Sequence, residues 1–173
     1  MWFTQPSFQI EEMDEKYPYL VEVKLIESIP PVDRGSRYED PLAHSLEESG
    51  LGTVSGGGSL LAPRPFPGEQ GIEYVCLDVE LANLDEALAV LKKKMHELGA
   101  PVGSSIAYYT EKEVKHEEPI GDIELLYVYL DAQTLSDDIY ANSDLESICK
   151  TLQERMDPIG ELRKPQSWSS ETL

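Results

Sequence analysis

Residues 73–109 read EYVCLDVELANLDEALAVLKKKMHELGAPVGSSIAYY and decide the fold of this chain. The apolar run at residues 74–81 predicts a strand, and the spacing of apolar side chains in residues 83–98 predicts a helix. Gly99-Ala100-Pro101 interrupts the helical pattern, and a second apolar run at residues 105–109 predicts another strand. The stretch therefore predicts a strand–helix–strand unit.

The helix of this unit has a predicted start and one apolar side. Asn83 can cap its first backbone N–H groups, and Glu86, three residues later, completes a capping box. The apolar stripe at 3.6-residue spacing consists of Leu84, Leu88, Leu91, Met95 and Leu98. Residues 92–94 are lysines that we expect mostly to face water, near the helix C-terminus where cations are favoured.

A similar plan is predicted on the N-terminal side of this unit. Residues 19–26 alternate apolar and charged side chains, which predicts a half-buried strand. Residues 33–37 are expected to be loop, and Asp40-Pro41 predicts a helix start. Gly50 is expected to end that helix. Residues 52–61 predict a glycine-interrupted strand, bulged or closely approached by other atoms.

The C-terminal part of the chain predicts a third unit. The acid-rich segment 110–124 is expected to form a loop or a strand extension. Residues 125–130 are expected to form a strand. A polar connection is expected at residues 132–142, and residues 143–146 (Ser-Asp-Leu-Glu) predict a capped helix start. Residues 159–163 are compatible with a short last strand.

An internal repeat supports this organisation. The pattern Tyr-Val-x-Leu-Asp occurs at residues 74–78 and again 53 residues later at 127–131, so that Asp78 and Asp131 each close an apolar run. A predicted helix and a Pro-x-Gly triplet follow both copies, which indicates a repeated structural unit.

The predicted fold class is α+β. Two such units in series give a ferredoxin-like β-α-β-β-α-β plan, and the third adds a β-α-β half-repeat, in a mainly antiparallel sheet with helices on one face. The predicted division is an irregular arm at 1–18, the ferredoxin-like unit at 19–110, the additional unit at 111–164 and a polar tail at 165–173. The additional unit can extend the same sheet or complete a sheet with a second copy, which predicts a possible homodimer.

Charge limits the classes of partner. The 173 residues include 33 acidic and 14 basic side chains, for a formal net charge of −19. Such a field repels phosphate backbones and anionic lipids, so neither nucleic acid nor a membrane surface is expected as a partner. A basic protein or a cation is electrostatically permitted as a partner, and a merely solubilising surface is the simpler alternative. No signal peptide or membrane span is recognisable, and Cys76 and Cys149 form no metal or redox motif, so a cytoplasmic location is predicted.

No catalytic residue, metal ligand or cofactor is assigned from the sequence. The glycine-rich residues 50–58 lack the third glycine of a dinucleotide fingerprint and the Gly-Lys of a phosphate loop. The histidines at 44, 96 and 116 show no metal-ligand spacing, and no nucleophile elbow is present. An enzyme is therefore not favoured, although the question stays open.

Two functional hypotheses have candidate residues, and a third reading is a purely structural subunit of a larger assembly. The first is a non-catalytic acidic protein-binding module, for example an immunity or antitoxin-type inhibitor of a basic enzyme. Its candidate partner-binding residues are Glu111, Glu113, Glu117, Glu118, Asp122 and Glu124. The second is a small-molecule-binding or enzymatic domain with a pocket over an open sheet face. Its candidate pocket residues are Asp78, Tyr109, Asp131, Gly56 and Gly57.

Overall fold

The computed structural model describes residues 16–63, 70–110, 114–127, 136–142, 144–157, 159–160 and 162–163. The chain divides into two compact units, Met1–Leu126 and Tyr127–Leu173. Most of the predicted arm and the whole predicted tail lie outside the described residues. The predicted domain boundaries at 110 and 164 stay predictions.

In its described residues, the first unit contains five strands and three helices. The strands are β1 (Tyr19–Leu25), β2 (Gly52–Pro63), β3 (Gln70–Leu81), β4 (Ser105–Tyr109) and β5 (Lys115–Pro119). The helices are α1 (Pro31–Arg34), α2 (Asp40–Ser49) and α3 (Glu86–Glu97). A π-helical turn, Gly35–Glu39, joins α1 to α2. The second unit contains α4 (Asp137–Asn142) and α5 (Leu145–Met156).

The five strands form one sheet in the order β2-β3-β1-β4-β5. Each neighbouring pair is antiparallel. β1 therefore lies in the middle of the sheet, while β2 and β5 lie at its two ends. The predicted α+β class and the mainly antiparallel sheet are confirmed.

The core lies on one face of this sheet. Because side chains alternate along a strand, Val21, Val23 and Leu25 of β1 point to the same side and are fully buried. The remaining core side chains of β3, α2, α3 and β4 include Val75, Leu77, Val79, Leu81, Leu42, Leu46, Leu88, Leu91, Met95 and Ile106. Burial of one such side chain stabilises by roughly 1.5–3 kcal/mol. Both long helices of this unit thus pack on the same face.

Glycine ends both of these helices, as the backbone conformation requires. Gly50 has φ +67° and Gly99 has φ +70°, in the left-handed region that a Cβ disfavours. After α2, the Leu51 N–H donates to the Leu46 carbonyl, which closes a Schellman motif. Asn83 Oδ1 accepts from the N–H groups of Glu86 and Ala87, so its predicted capping role is confirmed.

The loop predicted at residues 33–37 is wrong, because these residues belong to α1 and the π-helical turn. β1 ends at Leu25, five residues before Pro30, and Pro31 is the first residue of α1. A proline is well suited to that position, since the first helical N–H has no intrahelical partner and the ring fixes a helical φ. Pro30 and Pro31 thus form the N-cap and the first residue of α1.

The strand predicted at residues 125–130 is not found in its described part. Residues 125–127 lie in no strand, with Leu126 87% exposed, and residues 128–130 lie outside the described residues. A strand needs a neighbour for its backbone hydrogen bonds, and the place beside β4 is occupied by β5. The predicted equivalence of residues 74–78 and 127–131 therefore fails at Tyr127, since Tyr74 lies within β3.

Three further predictions for the C-terminal part need correction. The connection predicted at residues 132–142 contains helix α4. The N-cap of α5 is Asp144, whose carboxylate accepts from Glu146 and Ser147 N–H, whereas Ser143 lies outside the described residues. Of the strand predicted at 159–163, the described residues 159, 160, 162 and 163 form none. The Gln153 amide instead binds the Gly160 carbonyl and the Leu162 N–H, which folds this segment back on α5.

Candidate functional site: the open face of the sheet

The sheet has a second face, opposite the helices, which we call the open face. Because side chains alternate in direction along β1 and β3, the residues between the buried ones point to the open face. They include Leu20, Glu22 and Lys24 of β1, Tyr74, Cys76, Asp78 and Glu80 of β3, and Ala107 and Tyr109 of β4. Among the described residues, this face combines charged, aromatic and aliphatic side chains.

A row of carboxylates crosses the open face. Asp78 lies directly opposite Glu22 in the β1–β3 register. Ala107 is the next residue across from Glu22, and Glu117 of β5 follows Ala107. Glu22, Asp78 and Glu117, which we call the acidic row, thus align across the sheet. Like charges directly opposite each other destabilise a sheet by roughly 0.2–1 kcal/mol per pair, so the row is suited to meeting a cation from outside.

The next row of side chains on the open face, two residues further along each strand, carries a cation. Lys24 lies opposite Cys76, and its Nζ atom is 4.3 Å from the centroid of the Tyr74 ring. This distance is that of a cation–π contact, which holds the ammonium group over β3. Ser105, opposite Lys24 on β4, donates to Glu117 Oε1 at 3.2 Å. The two rows are therefore linked through Ser105.

Apolar side chains surround the acidic row. Leu20 and Leu60 are 43% and 44% exposed, and Tyr109 is 60% exposed. Tyr108, in contrast, packs against the core, so the adjacent rings of Tyr108 and Tyr109 lie on opposite sides of the sheet.

Cys76 is the nucleophilic side chain of this face. Burial raises the pKa of its thiol, and the nearby carboxylates of Glu22 and Asp78 raise it further, while Lys24 and Arg34 oppose this change. A thiol with a raised pKa stays protonated at neutral pH and is a poor nucleophile. Cys76 is half-buried and forms no disulfide.

The predicted pocket residues fall on different sides of the sheet. Gly56 pairs with Asp78 on the open face, where a Cβ would lie 3.3 Å from Asp78 Oδ2. Gly57 pairs with Leu77, so it faces the core side. Tyr109 lies on the open face at the end of β4, and Asp131 lies outside the described residues. The structure therefore brings Asp78 and Gly56 together and separates Gly57 from them. Asp78 lies within β3 rather than at its end.

A partly buried ion pair accounts for Gly57 of β2. The Arg34 Nε donates to Glu39, and Nη1 donates to the Gly58 carbonyl at 2.9 Å and to Ser59 Oγ at 3.2 Å. A Cβ at Gly57 would lie 2.8 Å from both Glu39 Oε1 and the Cys76 carbonyl. The prediction of a bulged, closely approached strand is confirmed, because the β2–β3 register shifts between Val54 and Gly56.

This ion pair could not be identified from the sequence. Arg34 and Glu39 are five residues apart, which matches the i, i+5 spacing of the π-helical turn rather than that of an α-helix. Arg34 is only 8% exposed. The one available signal is the run of glycines at 56–58, which indicates a close approach without naming the group that approaches.

The predicted partner-binding acids are partly engaged within the chain. Glu118 accepts from Lys92 Nζ and from the Tyr108 hydroxyl, each at 2.6 Å. Asp122 pairs with the His96 ring at 2.9 Å. Glu117 belongs to the acidic row, and Glu124 is exposed. Glu111 and Glu113 lie outside the described residues.

The contacts of Glu118 change its acidity. The hydrogen bond from Lys92, followed by that from Tyr108, lowers the pKa of Glu118. The same carboxylate raises the pKa of Tyr108, because the tyrosine donates its proton to a negative acceptor. Tyr108 also stacks on the His116 ring with centroids 5.4 Å apart. Lys92 is therefore not simply a solvent-facing lysine, as its position on α3 suggested.

Within the described ranges, no group of three or more His, Cys, Asp or Glu side chains is arranged so that it could hold a metal ion. Within the same ranges, none of the helices has the length and apolar character needed to cross a membrane. Comparison of the chain with protein-family models, with curated proteins and with solved structures finds no match.

Proposed function

We propose that this chain is a non-catalytic acidic module that binds a basic protein on the open face of its sheet. The observation that supports this proposal is the acidic row of Glu22, Asp78 and Glu117, set among exposed apolar side chains. Glu22 and Asp78 occupy directly paired positions, so a lysine or arginine placed over them offsets the repulsion between two like charges.

The open face is a better partner surface than the acidic segment 110–124 alone. Two acids of that segment already have partners in the chain, since Glu118 pairs with Lys92 and Asp122 contacts the His96 ring. Glu22 and Asp78 face each other across β1 and β3 instead. A cation that approaches this pair replaces a repulsion with an attraction, whereas at Glu118 it competes with Lys92.

The net charge of the chain and the exposed apolar side chains of the open face indicate the chemistry of the partner. A net charge of −19 accelerates encounter with a basic protein and makes binding sensitive to salt. The exposed rings and aliphatic side chains then provide contact area, since tyrosine is enriched in binding hot spots. An inhibitor of a basic enzyme, of the immunity or antitoxin type, is one biological instance of such a module.

The fold that presents this face is part of the proposal. We propose that residues 19–110 form a ferredoxin-like unit extended by β5. The element order β-α-β-β-α-β from β1 to β4 supports this assignment, as does the central position of β1 and β3. In this arrangement both helices cover one face, and the other face is left for binding.

The first experiment is a pull-down with the full chain at about 50 mM and about 500 mM salt, since screening weakens exposed charge contacts. We expect a basic protein to be retained at low salt and released at high salt, and mass spectrometry identifies it. Failure to retain any basic protein at low salt would contradict the proposal.

The retained protein, once purified, is tested against matched variants. The double variant Glu22→Gln/Asp78→Asn removes two charges from the acidic row. The control Glu48→Gln/Glu97→Gln removes two charges from exposed positions on α2 and α3. We expect the first variant to lose at least tenfold in affinity and the control to lose much less. Equal losses would show that net charge alone attracts the partner.

Cys76 serves as a reporter of occupancy on the open face. Bound protein should slow alkylation of Cys76, while Cys149 in α5 serves as the reference thiol in the same sample. Unchanged alkylation of Cys76 in the saturated complex would place the partner elsewhere.

A second candidate function is the binding of a small cationic molecule over the same face. Gly56 favours it, because the absence of a side chain leaves space beside the Asp78 carboxylate. A thermal-shift screen of small amines should then raise the melting temperature of the wild-type chain but not of Asp78→Asn. No stabilising compound in such a screen would count against this candidate.

A further inference from the structure

The two ends of the sheet differ in how well they resist pairing with another strand. β5 has five residues, of which Lys115, His116, Glu117 and Glu118 are polar or charged and Pro119 is the last. Short length, charge and proline all disfavour strand addition at an edge. β2, at the other end of the five-strand order, has 12 residues, GTVSGGGSLLAP, without one ionisable side chain.

The middle of β2 is accessible. Residues 57–61 are all exposed, and Leu60 and Leu61 are 44% and 54% exposed. A strand at the end of a sheet presents backbone N–H and C=O groups on its outer side. The Gly58 carbonyl already accepts one bond from Arg34, but a carbonyl oxygen has two lone pairs and can accept a second. β2 therefore has the features of a strand-addition site.

We propose that β2 is a homodimer interface, in which the β2 strands of two copies pair antiparallel about a two-fold axis. Two sheets of five strands then become one continuous sheet. The interface is isologous, so the same segment lies on both sides. The centre of β2 falls at Gly57 and Gly58, and symmetric pairing therefore brings the two copies of Gly58 close together.

Electrostatics selects a second copy as the occupant. With a net charge of −19, two copies repel each other over most of their surfaces. On the open face, the carboxylates nearest to this edge are Asp78 and Glu80 of β3, one strand inward. In the paired sheet, each lies at least three strand spacings, or roughly 14 Å, from its equivalent, since both are also offset along the strands from the centre of β2. This exceeds the screening length of roughly 8–10 Å at physiological salt. The Arg34–Glu39 pair, which contacts Gly58, joins opposite charges and adds no net charge at this edge.

A basic partner of the kind proposed for the open face would gain no electrostatic attraction at this edge, because β2 carries no carboxylate. An uncharged extended strand is instead complementary to another uncharged strand. The two surfaces are also separate, since the acidic row crosses β3, β1 and β5. One chain can therefore dimerise through β2 and bind a partner on the open face.

The test uses substitutions at Gly58, where a Cβ meets no atom within 4 Å. Gly58→Lys places a charge near the two-fold axis, and Gly58→Ala is the matched control. Size-exclusion chromatography with light scattering at micromolar concentration should give the mass of two chains for wild type and Gly58→Ala, and that of one chain for Gly58→Lys. A monomeric wild type, or a Gly58→Lys variant that stays dimeric, would overturn the proposal.

A charge-swap experiment separates loss of pairing from damage to the fold. Gly58→Glu and Gly58→Lys should each be monomeric, with circular dichroism spectra like that of the wild type. Mixing them in equal amounts should restore the mass of two chains, because opposite charges now meet at the axis. A mixture that stays monomeric would show that β2 does not pair with itself.

Discussion

Gly57 and Gly58 are adjacent in β2 but have opposite surroundings. Gly57 faces the core side, where a Cβ would lie 2.8 Å from the Cys76 carbonyl. Gly58 faces the open side, and a Cβ there meets nothing within 4 Å. At the scale of single residues, the first glycine is required by a close approach of backbone and the second is not.

This difference predicts opposite effects of the same substitution. Gly57→Ala should lower the free energy of unfolding by about 1–3 kcal/mol, because backbone atoms must move to admit the methyl group. Gly58→Ala should be neutral or stabilising by up to about 1 kcal/mol, since it restricts the unfolded chain. Urea unfolding followed by circular dichroism measures both. Similar free energies for the two variants would contradict the assigned surroundings.

The contacts of Glu118 predict a dependence of stability on pH. A carboxyl whose pKa is lowered on folding contributes stability that is present above its ordinary pKa of 4.5 and is lost as the pH falls through the folded value. Glu118→Gln should therefore reduce the loss of stability on acidification below about pH 4.5.

Glu117→Gln, on the neighbouring exposed residue of β5, is the control for this measurement. Thermal unfolding of both variants between about pH 3 and pH 7 covers the relevant range. Acid sensitivity that is the same in Glu118→Gln as in the wild type would show that the Lys92 and Tyr108 contacts do not stabilise the folded state.

At the scale of elements, the π-helical turn positions the partly buried pair of Arg34 and Glu39. Arg34 ends α1 and Glu39 ends the turn, so both side chains reach the glycines of β2. Removing one member of a buried pair leaves the other charge uncompensated, which costs more than removing both.

We therefore predict a strong coupling between Arg34 and Glu39. Arg34→Met should lower the free energy of unfolding by about 2 kcal/mol or more, and Glu39→Gln by a similar amount. The double variant should cost at least about 1 kcal/mol less than the sum of the two. Urea unfolding of all four proteins measures the coupling. Additive effects would show that the pair is not energetically linked.

Whether a strand prediction succeeded depended partly on which elements lie beside the segment in the fold. β1, β3 and β4 were predictable, because their side chains alternate or form apolar runs and one face is buried. β5 consists of polar and charged residues and a final proline, and from this sequence either a loop or a strand could be expected. It is a strand because β4 provides its hydrogen-bond partner. The run at 125–127 is more apolar than β5 and still forms no strand, since apolar character alone provides no pairing edge.

At the scale of the whole molecule, excess negative charge opposes compactness. Net charge far from zero destabilises a folded chain through self-repulsion, and salt screens this repulsion. The ion pairs on the surface, such as Lys93 with Glu97, are exposed and contribute little. The charge of −19 should therefore dominate the response of this chain to salt.

We predict that raising potassium chloride from about 20 mM to about 200 mM stabilises the folded chain. The expected rise in melting temperature is roughly 2–4 °C, which corresponds to about 1 kcal/mol for a chain of this size. Glu48→Gln/Glu97→Gln, with two fewer negative charges, should show a smaller rise. A melting temperature that falls with added salt would indicate that local ion pairs outweigh the net repulsion.

The sequence by itself determined the α+β class, the antiparallel character of the sheet, the buried stripe of α3 and the glycines that end α2 and α3. These features follow from local rules of periodicity and capping, which act within a few residues. Only the tertiary structure decided that Glu22 lies beside Asp78, that Arg34 reaches Gly58, and that β2 and β5 are the ends of the sheet. Such relations join residues distant in the chain, and they depend on which strands pair and in which register, so no local pattern encodes them.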